Sequence, residues 1–487
     1  MASLKSYGQF NLSGKIINYT GKEELKINVP LVFGFYKENS IPIPVTKDGT
    51  FNITLPISET KFANLIFQRK FFGLLLNPGK DLALTLNVKD TAMKLTIGSA
   101  IAENKIMQAV DIEEYPFFFA KDQSKLAKFS YSQLQDSVVK PYIAQRDEKL
   151  KKVKAAKISD KDKALIRTEL ISITYNYLSD VARTGYVEKS LINGLIIDIF
   201  DASNPKPPIF LAGPQFYGFI DNYIRYLETK AFVKIKEENI PSNKPIPYFG
   251  ISLDSANIFV KKYSKPQWRL LGAIKNLPLT VVEEYAYQLI INAIQYKELK
   301  QATDLASTFR KQFPTSKHLT SITTQINSLK AILVQNEKNE RIKIASNYEQ
   351  INSIYDIIRP LKGKVIYLDV WGTWCGPCKE ELKHIPELKA KFKEKDVAYV
   401  YLDLDDDNLD AQWKEFIKVN NMEGLHLRKS RQTIVPFWKE LLANATDKAE
   451  YYPQYFIFDK EGKLVVSKAK RPSEKEELYA QIEQFLK

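Results

Sequence analysis

The sequence lacks the long apolar runs that mark membrane-spanning segments. Such a span needs ~18 consecutive apolar residues, and the nearest approach, from Leu191 to Phe200, is interrupted by Asn193, Gly194 and Asp198. The 487 residues are 44% hydrophobic and 26% charged, which is typical of a globular protein and not of a disordered or collagen-like chain. At ~100–200 residues per domain, we expect about three domains.

The chain also lacks a clustered basic patch. Its 71 basic and 57 acidic residues give a net charge of +14, but lysines are mixed with acids, as in residues 146–152, which is typical of a solvated helix face. A nucleic-acid partner would require clustered arginine with interleaved aromatics, so we expect none. No secretory signal opens the sequence, so the protein is either cytoplasmic or a mature segment with a new start codon. Met1–Ser3 favours the second.

Cysteine is scarce: Cys375 and Cys378 are the only two. One adjacent pair excludes a framework of structural disulfides and indicates a redox centre. A zinc site would need further soft ligands, and the three isolated histidines do not supply a matching pair. Asp403, Asp405 and Asp407 begin like a calcium loop but are not followed by the glycine and glutamate that such a loop requires. We therefore expect no bound metal.

The local pattern places the cysteine pair at a strand-to-helix turn. Residues 364–370 form a mostly apolar run, rich in β-branched and aromatic residues, whose length fits a buried parallel strand. Downstream, apolar residues recur at helical spacing, at Leu382, Ile385, Leu388 and Phe392. At a helix N-terminus, unpaired N–H groups and the positive end of the helix dipole stabilise a thiolate, which is the form that attacks a disulfide.

These residues carry a family resemblance. Residues 371–378, Trp-Gly-Thr-Trp-Cys-Gly-Pro-Cys, resemble the active-site motif of the thioredoxin superfamily, and their flanks are similar to its TlpA/ResA-like branch of bacterial envelope thiol-disulfide oxidoreductases. Residues 452–465 resemble the cis-proline strand and hairpin of this branch, and residues 470–473 are also similar to it. The resemblance covers residues 346–487 and implies a thioredoxin-like α/β fold there.

The resemblance implies a role for each matching residue. Cys375 would be the exposed nucleophile, Cys378 the buried resolving thiol, and Asp369 the buried acid that serves proton transfer. A strand-end polar residue is the alternative interpretation of Asp369. Tyr452 would precede a cis Pro453 that faces the disulfide. The substrate-binding residues implied in this way are Trp374, Gly376, Pro377, Tyr452 and Pro453.

The sequence departs from the branch in two places. Many members have proline eight residues after the first cysteine, where Lys383 stands here. The nearest proline is Pro386, which should still kink the helix because it removes a backbone donor. Between Val400 and Tyr451 the chain is longer than in a minimal thioredoxin, and we expect an extra helix over residues 409–419.

The rest of the chain carries no recognisable catalytic motif. Clean alternation over Thr50–Leu55 and a turn at Asn77–Asp81 indicate an antiparallel β-sandwich. The predicted architecture is multidomain: an N-terminal antiparallel β-sandwich over residues 1–98, a central all-α region over 99–345, and a C-terminal α/β thioredoxin-like domain over 346–487.

Two local patterns support the helical region. Ser159 with Asp162 resembles a capping box, which predicts a helix from there towards Arg183. Two further helical stretches are separated at Pro314 and predict a helical hairpin. A single hairpin does not establish a repeat.

We expect a thiol-disulfide oxidoreductase that reduces protein disulfides by dithiol–disulfide exchange at Cys375 and Cys378, because Gly-Pro between the cysteines resembles the reducing members. A disulfide isomerase or oxidase is one alternative, and a client-binding module with secondary redox activity is another. The expected partners are protein disulfide substrates and an upstream thiol electron donor, with no cofactor beyond the redox-active disulfide. The expected location is the periplasm or cell envelope.

Overall fold

The computed structural model describes residues 8–30, 39–119, 123–207 and 213–486. The opening Met1–Ser3 lies outside the described residues. The chain divides into two compact units, Met1–Gln288 and Leu289–Lys487. The finer division into three domains stays a prediction.

Strands of the first unit form two four-stranded sheets within the part of the chain that is described. In chain order they are β1 (Gln9–Ile17), β2 (Leu25–Asn28), β3 (Ser40–Pro42), β4 (Thr50–Pro56), β5 (Lys61–Phe67), β6 (Lys70–Leu76), β7 (Asp81–Asn87) and β8 (Met93–Ile97). The sheet orders are β4-β1-β7-β8 and β3-β2-β5-β6. Buried residues of both sheets belong to one hydrophobic cluster, which includes Leu12 of β1, Ile27 of β2 and Leu84 of β7.

One strand pairing in this unit corrects the antiparallel expectation. β1 pairs in parallel with β7, so that Leu12 lies opposite Leu82, although it pairs antiparallel with β4. Parallel neighbours require a crossover connection of a dozen or more residues, and the strands from β2 to β6 provide that connection. The predicted strand at Thr50–Leu55 and the strand after the Asn77–Asp81 turn are confirmed as β4 and β7.

Helices follow the sheets in the first unit. They are α1 (Ile101–Val110), α2 (Tyr131–Leu134), α3 (Lys140–Ala155), α4 (Asp160–Arg183), α5 (Ile192–Asp201), α6 (Pro214–Glu237), α7 (Leu253–Lys262), α8 (Lys265–Asn276) and α9 (Leu279–Gln295), the last of which continues into the second unit. The Oγ atom of Ser159 accepts a hydrogen bond from the Asp162 amide at 3.1 Å, so the predicted start and end of α4 are confirmed. Among the described residues, no helix has both the length and the apolar character that a membrane crossing needs.

The second unit is built on a six-stranded sheet. Its elements are α10 (Leu299–Gln312), α11 (Leu319–Asn336), β9 (Ile342–Ile344), α12 (Tyr355–Ile358), β10 (Val365–Trp371), α13 (Gly376–Leu382), α14 (Ile385–Lys391), β11 (Val397–Asp403), α15 (Asp410–Val419), β12 (Gly424–Arg428), α16 (Val435–Leu441), β13 (Gln454–Phe458), β14 (Leu464–Val466) and α17 (Glu476–Gln484). The strand order is β14-β13-β10-β11-β12-β9. The first strand of this sheet along the chain, β9, begins four residues before the predicted domain boundary at position 346. It is too short to show the alternation by which a strand is predicted.

The central strand β10 has the burial on both faces that its apolar sequence predicts. All seven of its residues are buried. It pairs in parallel with β11 and antiparallel with β13. Because successive side chains point to opposite faces, Leu368 and Val370 belong to one hydrophobic cluster and Val365 and Tyr367 to another. Apolar burial on both faces is the arrangement that a continuous apolar run indicates.

Two further predictions are confirmed in this unit. The helical hairpin broken at Pro314 is present as α10 and α11. The extra helix expected over residues 409–419 is α15.

The predicted kink at Pro386 is corrected. The helix after the cysteines is interrupted between α13 and α14, at residues 383–384, and Pro386 occupies the first turn of α14. The missing amide of a proline is tolerated in a first turn, because that N–H has no intrahelical acceptor. The break therefore precedes Pro386 and does not come from the loss of its backbone donor.

Candidate functional site

The cysteine pair occupies the turn between β10 and α13. Cys375 is the N-cap residue of α13, and its Sγ atom accepts a hydrogen bond from the Cys378 amide at 3.1 Å. Cys375 and Cys378 form a disulfide, with their Cα atoms 5.2 Å apart. The amide and the positive end of the helix dipole both face the Cys375 sulfur, so each would stabilise negative charge there after reduction. The predicted strand-to-helix placement is therefore confirmed.

Burial of the two cysteines differs from the expectation. Cys375 is 4% exposed and Cys378 is 2% exposed, so in the disulfide form the first cysteine is not the exposed residue that the resemblance implied. Gly376 and Pro377, which follow it, are exposed. Trp374 is 47% exposed. The accessible surface around the disulfide is therefore made by its neighbours in the motif.

The side chain of Trp374 folds back onto the motif. A Cβ atom added at Gly372 would lie 2.7 Å from Trp374 Nε1, which is closer than real Cβ contacts, so a side chain at position 372 would displace the Trp374 ring. The Trp374 ring packs edge-on against Tyr452, with the ring centroids 5.3 Å apart. Tyr452 in turn packs edge-on against Trp438 at 5.9 Å. These three rings, Trp374, Tyr452 and Trp438, are called the aromatic wall below. The Arg431 guanidinium lies over Trp374, 5.8 Å from its centroid.

Pro453 lies at the start of β13. The Tyr452–Pro453 peptide bond is cis, and Pro453 is buried while Tyr452 is half-buried. In the antiparallel register of β10 and β13, Val370 lies opposite Gln454. The same register brings Pro453 level with Trp371, the last residue of β10. The fold thus brings Pro453 and the beginning of the motif to the same end of neighbouring strands.

Asp369 lies in the middle of the buried strand. It is 2% exposed, and its Oδ1 atom makes no hydrogen bond to any described residue. Burial, followed by the negative charge of Glu381, raises the pKa of Asp369 well above its ordinary value. A carboxyl with a raised pKa holds a proton at a pH where exposed carboxyls are ionised. That property suits a group that exchanges protons near neutral pH.

Glu381 is a candidate residue that the sequence interpretation missed. It lies on α13, is buried, and accepts hydrogen bonds from the amide and the Oγ atom of Ser473, both at 2.9 Å. The signal was available in the helical spacing: Glu381 follows Cys378 by three residues and precedes Ile385 by four, so it shares a helix face with both. An acid on the apolar stripe of a helix indicates a buried carboxylate.

A third buried acid, Asp405, is hydrogen-bonded to the motif. Asp405 accepts hydrogen bonds from the amide of Thr373 at 3.0 Å and from its hydroxyl at 2.5 Å. It follows β11, and its own carbonyl accepts from the Arg428 guanidinium at 3.0 Å. Burial raises the pKa of Asp405, while the hydrogen bonds from Thr373 act in the opposite direction. The acids that resemble a calcium loop therefore include a residue that anchors the turn before Cys375.

Within the second unit, the hairpin of α10 and α11 contacts α13, the helix that begins after Cys375. Lys379, which directly follows Cys378, forms an ion pair with Glu298 at the start of α10. Both side chains are largely buried. The Lys379 ammonium also lies 5.4 Å from the ring centroid of Tyr296. Burial raises the pKa of Glu298, and the charge of Lys379 opposes that rise. Nothing in the sequence signals this contact, because the two residues are 81 positions apart.

No group of three or more His, Cys, Asp or Glu side chains with metal-binding geometry occurs among the residues described.

The C-terminal region is similar to known proteins. Residues 339–482 match the Redoxin family model. The thiol-disulfide oxidoreductase ResA of Bacillus cereus is 33% identical over 109 residues, which are 22% of this chain and 56% of that protein. ResA of Bacillus thuringiensis subsp. konkukian is 33% identical over 131 residues, 27% of this chain and 66% of that protein. A solved thiol-disulfide oxidoreductase from Bacteroides fragilis is 20% identical, covers 26% of this chain and 83% of its own, and has a TM-score of 0.20.

The Redoxin match confirms the resemblance of the C-terminal region to the thioredoxin superfamily. It covers β9 to α17, the whole six-stranded sheet. The chain spans between about half and two thirds of the length of the two ResA proteins described above. The roles of the individual site residues stay predictions.

Proposed function

We propose that this chain is a thiol-disulfide oxidoreductase that reduces protein disulfides at Cys375 and Cys378. The observation that carries the proposal is the disulfide at the N-terminus of α13, with the Cys378 amide directed at the Cys375 sulfur at 3.1 Å. The Redoxin match and the ResA relatives support the same activity. No cofactor is needed beyond the cysteine pair, because both electrons come from the two thiols.

The proposed reaction proceeds in two exchanges. In the reduced protein, the Cys375 thiolate attacks one sulfur of a substrate disulfide, a Cys375–substrate bond forms, and the other substrate sulfur leaves as a thiolate. Cys378 then loses its proton and attacks the Cys375 sulfur, which releases the second substrate thiolate and forms the Cys375–Cys378 disulfide. Two electrons pass to the substrate, so an upstream dithiol must return them before the next cycle.

Asp369 is the proposed acceptor of the Cys378 proton. Its raised pKa supports that role, because a carboxylate with a raised pKa is a stronger base than an exposed one. Glu381 raises that pKa further through its charge. The alternative, in which Asp369 is a structural strand residue, predicts no effect of its neutral variant on turnover.

The substrate is proposed to bind beside the aromatic wall. Trp374 and Tyr452 offer partly exposed rings, and aromatic side chains provide rigid contact surface for an extended peptide. Gly376 and Pro377 are exposed and carry no bulky polar group. Pro453, at the start of β13, has no amide to compete for the thiolate.

The direction of the reaction is tested by a redox titration of the cysteine pair. The pair is equilibrated with glutathione or dithiothreitol buffers, and its oxidised fraction is measured after acid quenching and thiol alkylation. A reductase is expected near the thioredoxin value of about −270 mV, and a strong oxidant near about −120 mV. A value at the oxidising end would favour the oxidase or isomerase alternative over the reductase. Turnover too slow to follow with any disulfide substrate would favour the client-binding alternative.

The remaining architecture and location are also proposals. The two sheets of the first unit share one hydrophobic cluster, which supports a sandwich arrangement of the kind that buries two inner faces together. A cell-envelope location fits a protein whose partners contain disulfides, since these persist outside the cytosol. Fractionation of the protein in its own host tests the location, and a signal confined to the cytosolic fraction would contradict it.

A further inference from the structure

A cleft with a volume of about 420 Å³ lies in the second unit, against the helix α13. Its walls come from the turn between α9 and α10, from α13 and α14, and from the end of α15. The charged residues that line it are four lysines and one acid: Lys297, Lys379, Lys383, Lys389 and Glu423. Tyr296 and Phe416 supply aromatic surface to the same cleft. The cleft is distinct from the aromatic wall that borders the disulfide, because it shares no residue with that wall.

Two of the four lysines already have carboxylate partners. Lys379 forms its buried ion pair with Glu298. The Nζ atom of Lys383 lies 2.9 Å from the carboxylate of Glu380. Glu380 is on α13, one helical turn earlier in the chain. The charge of these two lysines is therefore compensated by the protein itself.

The other two lysines have no carboxylate partner among the described residues. Lys389 donates to the backbone carbonyl of Glu423 and lies over the ring of Tyr399, 5.2 Å from its centroid. The carboxylate of Glu423 faces a different cation, the guanidinium of Arg341 at 3.5 Å. Lys297 has no ion pair or side-chain hydrogen bond within the described part of the chain. The charge of Lys297 is therefore not offset, and that of Lys389 is offset only by the Coulombic attraction of the Glu423 carboxylate, which also faces Arg341.

The position of Lys297 is fixed by the backbone. Lys297 has a φ of 53°, in the left-handed region. Its amide donates to the Ile294 carbonyl at 2.9 Å, and the next amide, of Glu298, donates to Ala293 at 2.8 Å. These two bonds close the end of α9 in the manner of a helix C-cap. The unpaired ammonium is therefore carried by a fixed turn.

Burial lowers the pKa of Lys389 to about 8, although the negative charge of Glu423 opposes that change. Burial also lowers the pKa of Lys297, with no opposing charge. A desolvated cation without an opposite charge is an unfavourable arrangement. A bound anion would supply an opposite charge to Lys297 and add a charge-assisted hydrogen bond to each ammonium group.

We propose that this cleft binds a small organic anion, a molecule with one carboxylate or phosphate group attached to an apolar ring. The anionic group lies between Lys297 and Lys389, and the apolar part packs on Tyr296 and Phe416. The proposal goes beyond the redox activity: it assigns a second binding site to the unit, with a lining that includes none of the residues of the aromatic wall.

Binding is tested on the full chain in its disulfide form, so that the result does not depend on turnover. Benzoate and phenyl phosphate, which separate the carboxylate from the phosphate source, are titrated by calorimetry at low ionic strength, where surface screening is weakest. Benzyl alcohol is the neutral probe. We expect saturable binding of at least one anion and much weaker binding of benzyl alcohol.

Variants assign the binding to the cleft. Lys297→Gln should weaken anion binding by about tenfold, the loss of one charge-assisted hydrogen bond. Lys389→Gln should weaken it as well, and circular dichroism checks that this variant still folds. Lys391→Gln is the matched control, because Lys391 lies on the same helix but pairs with Glu483 outside the cleft.

Three outcomes would overturn the proposal: no saturable binding of either anion at millimolar concentration, equal binding of benzyl alcohol, or equal weakening by Lys297→Gln and Lys391→Gln. The redox titration described above is independent of all three. A protein that reduces disulfides but fails these tests would lose the second site and keep the proposed activity.

Discussion

Thr373 donates both its amide and its hydroxyl to the buried carboxylate of Asp405. Thr373 lies two residues before Cys375. The two hydrogen bonds therefore connect the turn that carries the cysteine pair to the segment that follows β11. We expect Asp405→Ala to lower the free energy of unfolding by about 1–3 kcal/mol, because it leaves a buried amide and a hydroxyl without an acceptor. Chemical denaturation measures the change. Asp406→Ala is the control, since Asp406 is exposed, and an equal loss in both variants would contradict the assignment.

The two cysteines should respond differently to replacement. Cys375→Ser is expected to abolish disulfide reduction, because the attacking sulfur is lost. Cys378→Ser is expected to accumulate a mixed disulfide with substrate, since nothing then resolves the adduct. Mass spectrometry of the quenched reaction distinguishes the two. Equal rates of alkylation of both thiols in the reduced wild-type protein would contradict the unequal roles.

The pKa of Asp369 has a consequence for stability. The pKa of aspartate in an unfolded chain is about 3.9. Burial raises the pKa of Asp369, so this side chain stays protonated to a higher pH in the folded protein. Between those two pKa values the folded state holds one proton more than the unfolded state, so stability falls as the pH rises. This contribution is fully present below the unfolded pKa and is lost as the pH rises through the folded one.

Asp369→Asn removes that titration. Relative to wild type, the variant should gain thermal stability as the pH is raised from about 4, where an unfolded aspartate begins to ionise. Calorimetric unfolding of both proteins across that range tests the prediction, and parallel stability curves would refute it. Turnover of the variant should also slow at the resolving step, which single-turnover kinetics measures.

A variant of Glu381 tests the raised pKa of Asp369 separately. Its negative charge raises the pKa of Asp369, so Glu381→Gln should move the titration of Asp369 to lower pH while an amide oxygen remains to accept from Ser473. Carbon-detected NMR of the Asp369 carboxyl follows that midpoint. Glu380→Gln, at the exposed neighbouring position, is the control and should leave the midpoint in place. A shift of the same size in both variants would mean that a general charge effect is being measured.

The ion pair between Glu298 and Lys379 should show strong coupling. Removing one partner leaves an uncompensated buried charge, so Glu298→Gln and Lys379→Met should each cost about 3–5 kcal/mol. The double variant should recover much of that loss, because neither charge is then left alone. Denaturation of the four proteins gives the coupling energy. Simple additivity of the two single losses would show that the pair contributes through packing alone.

The sequence predicted the features that depend on local pattern. The apolar run of β10, the cap at Ser159, the break around Pro314 and the extra helix α15 all follow from periodicity and from proline or capping chemistry within a few residues. The place of the cysteine pair at a helix start follows from the same local reasoning.

Contacts between distant segments were not predictable in this way. The burial of Cys375, the hydrogen bonds between Thr373 and Asp405, and the parallel pairing of β1 with β7 each depend on segments far apart in the chain. Periodicity within one segment carries no information about which other segment packs against it. Glu381 was detectable by its spacing but was concealed by the charged neighbours around it.

The strand that leads to the disulfide is bonded along both edges, to β11 and to β13. Its amide hydrogens exchange with deuterium in the solvent only when the sheet itself opens, which is the least frequent fluctuation of such a unit. In the proposed reaction, bond exchange at Cys375 takes place in the turn beyond the strand. We therefore expect the deuterium protection of β10 to stay the same through many cycles of oxidation and reduction.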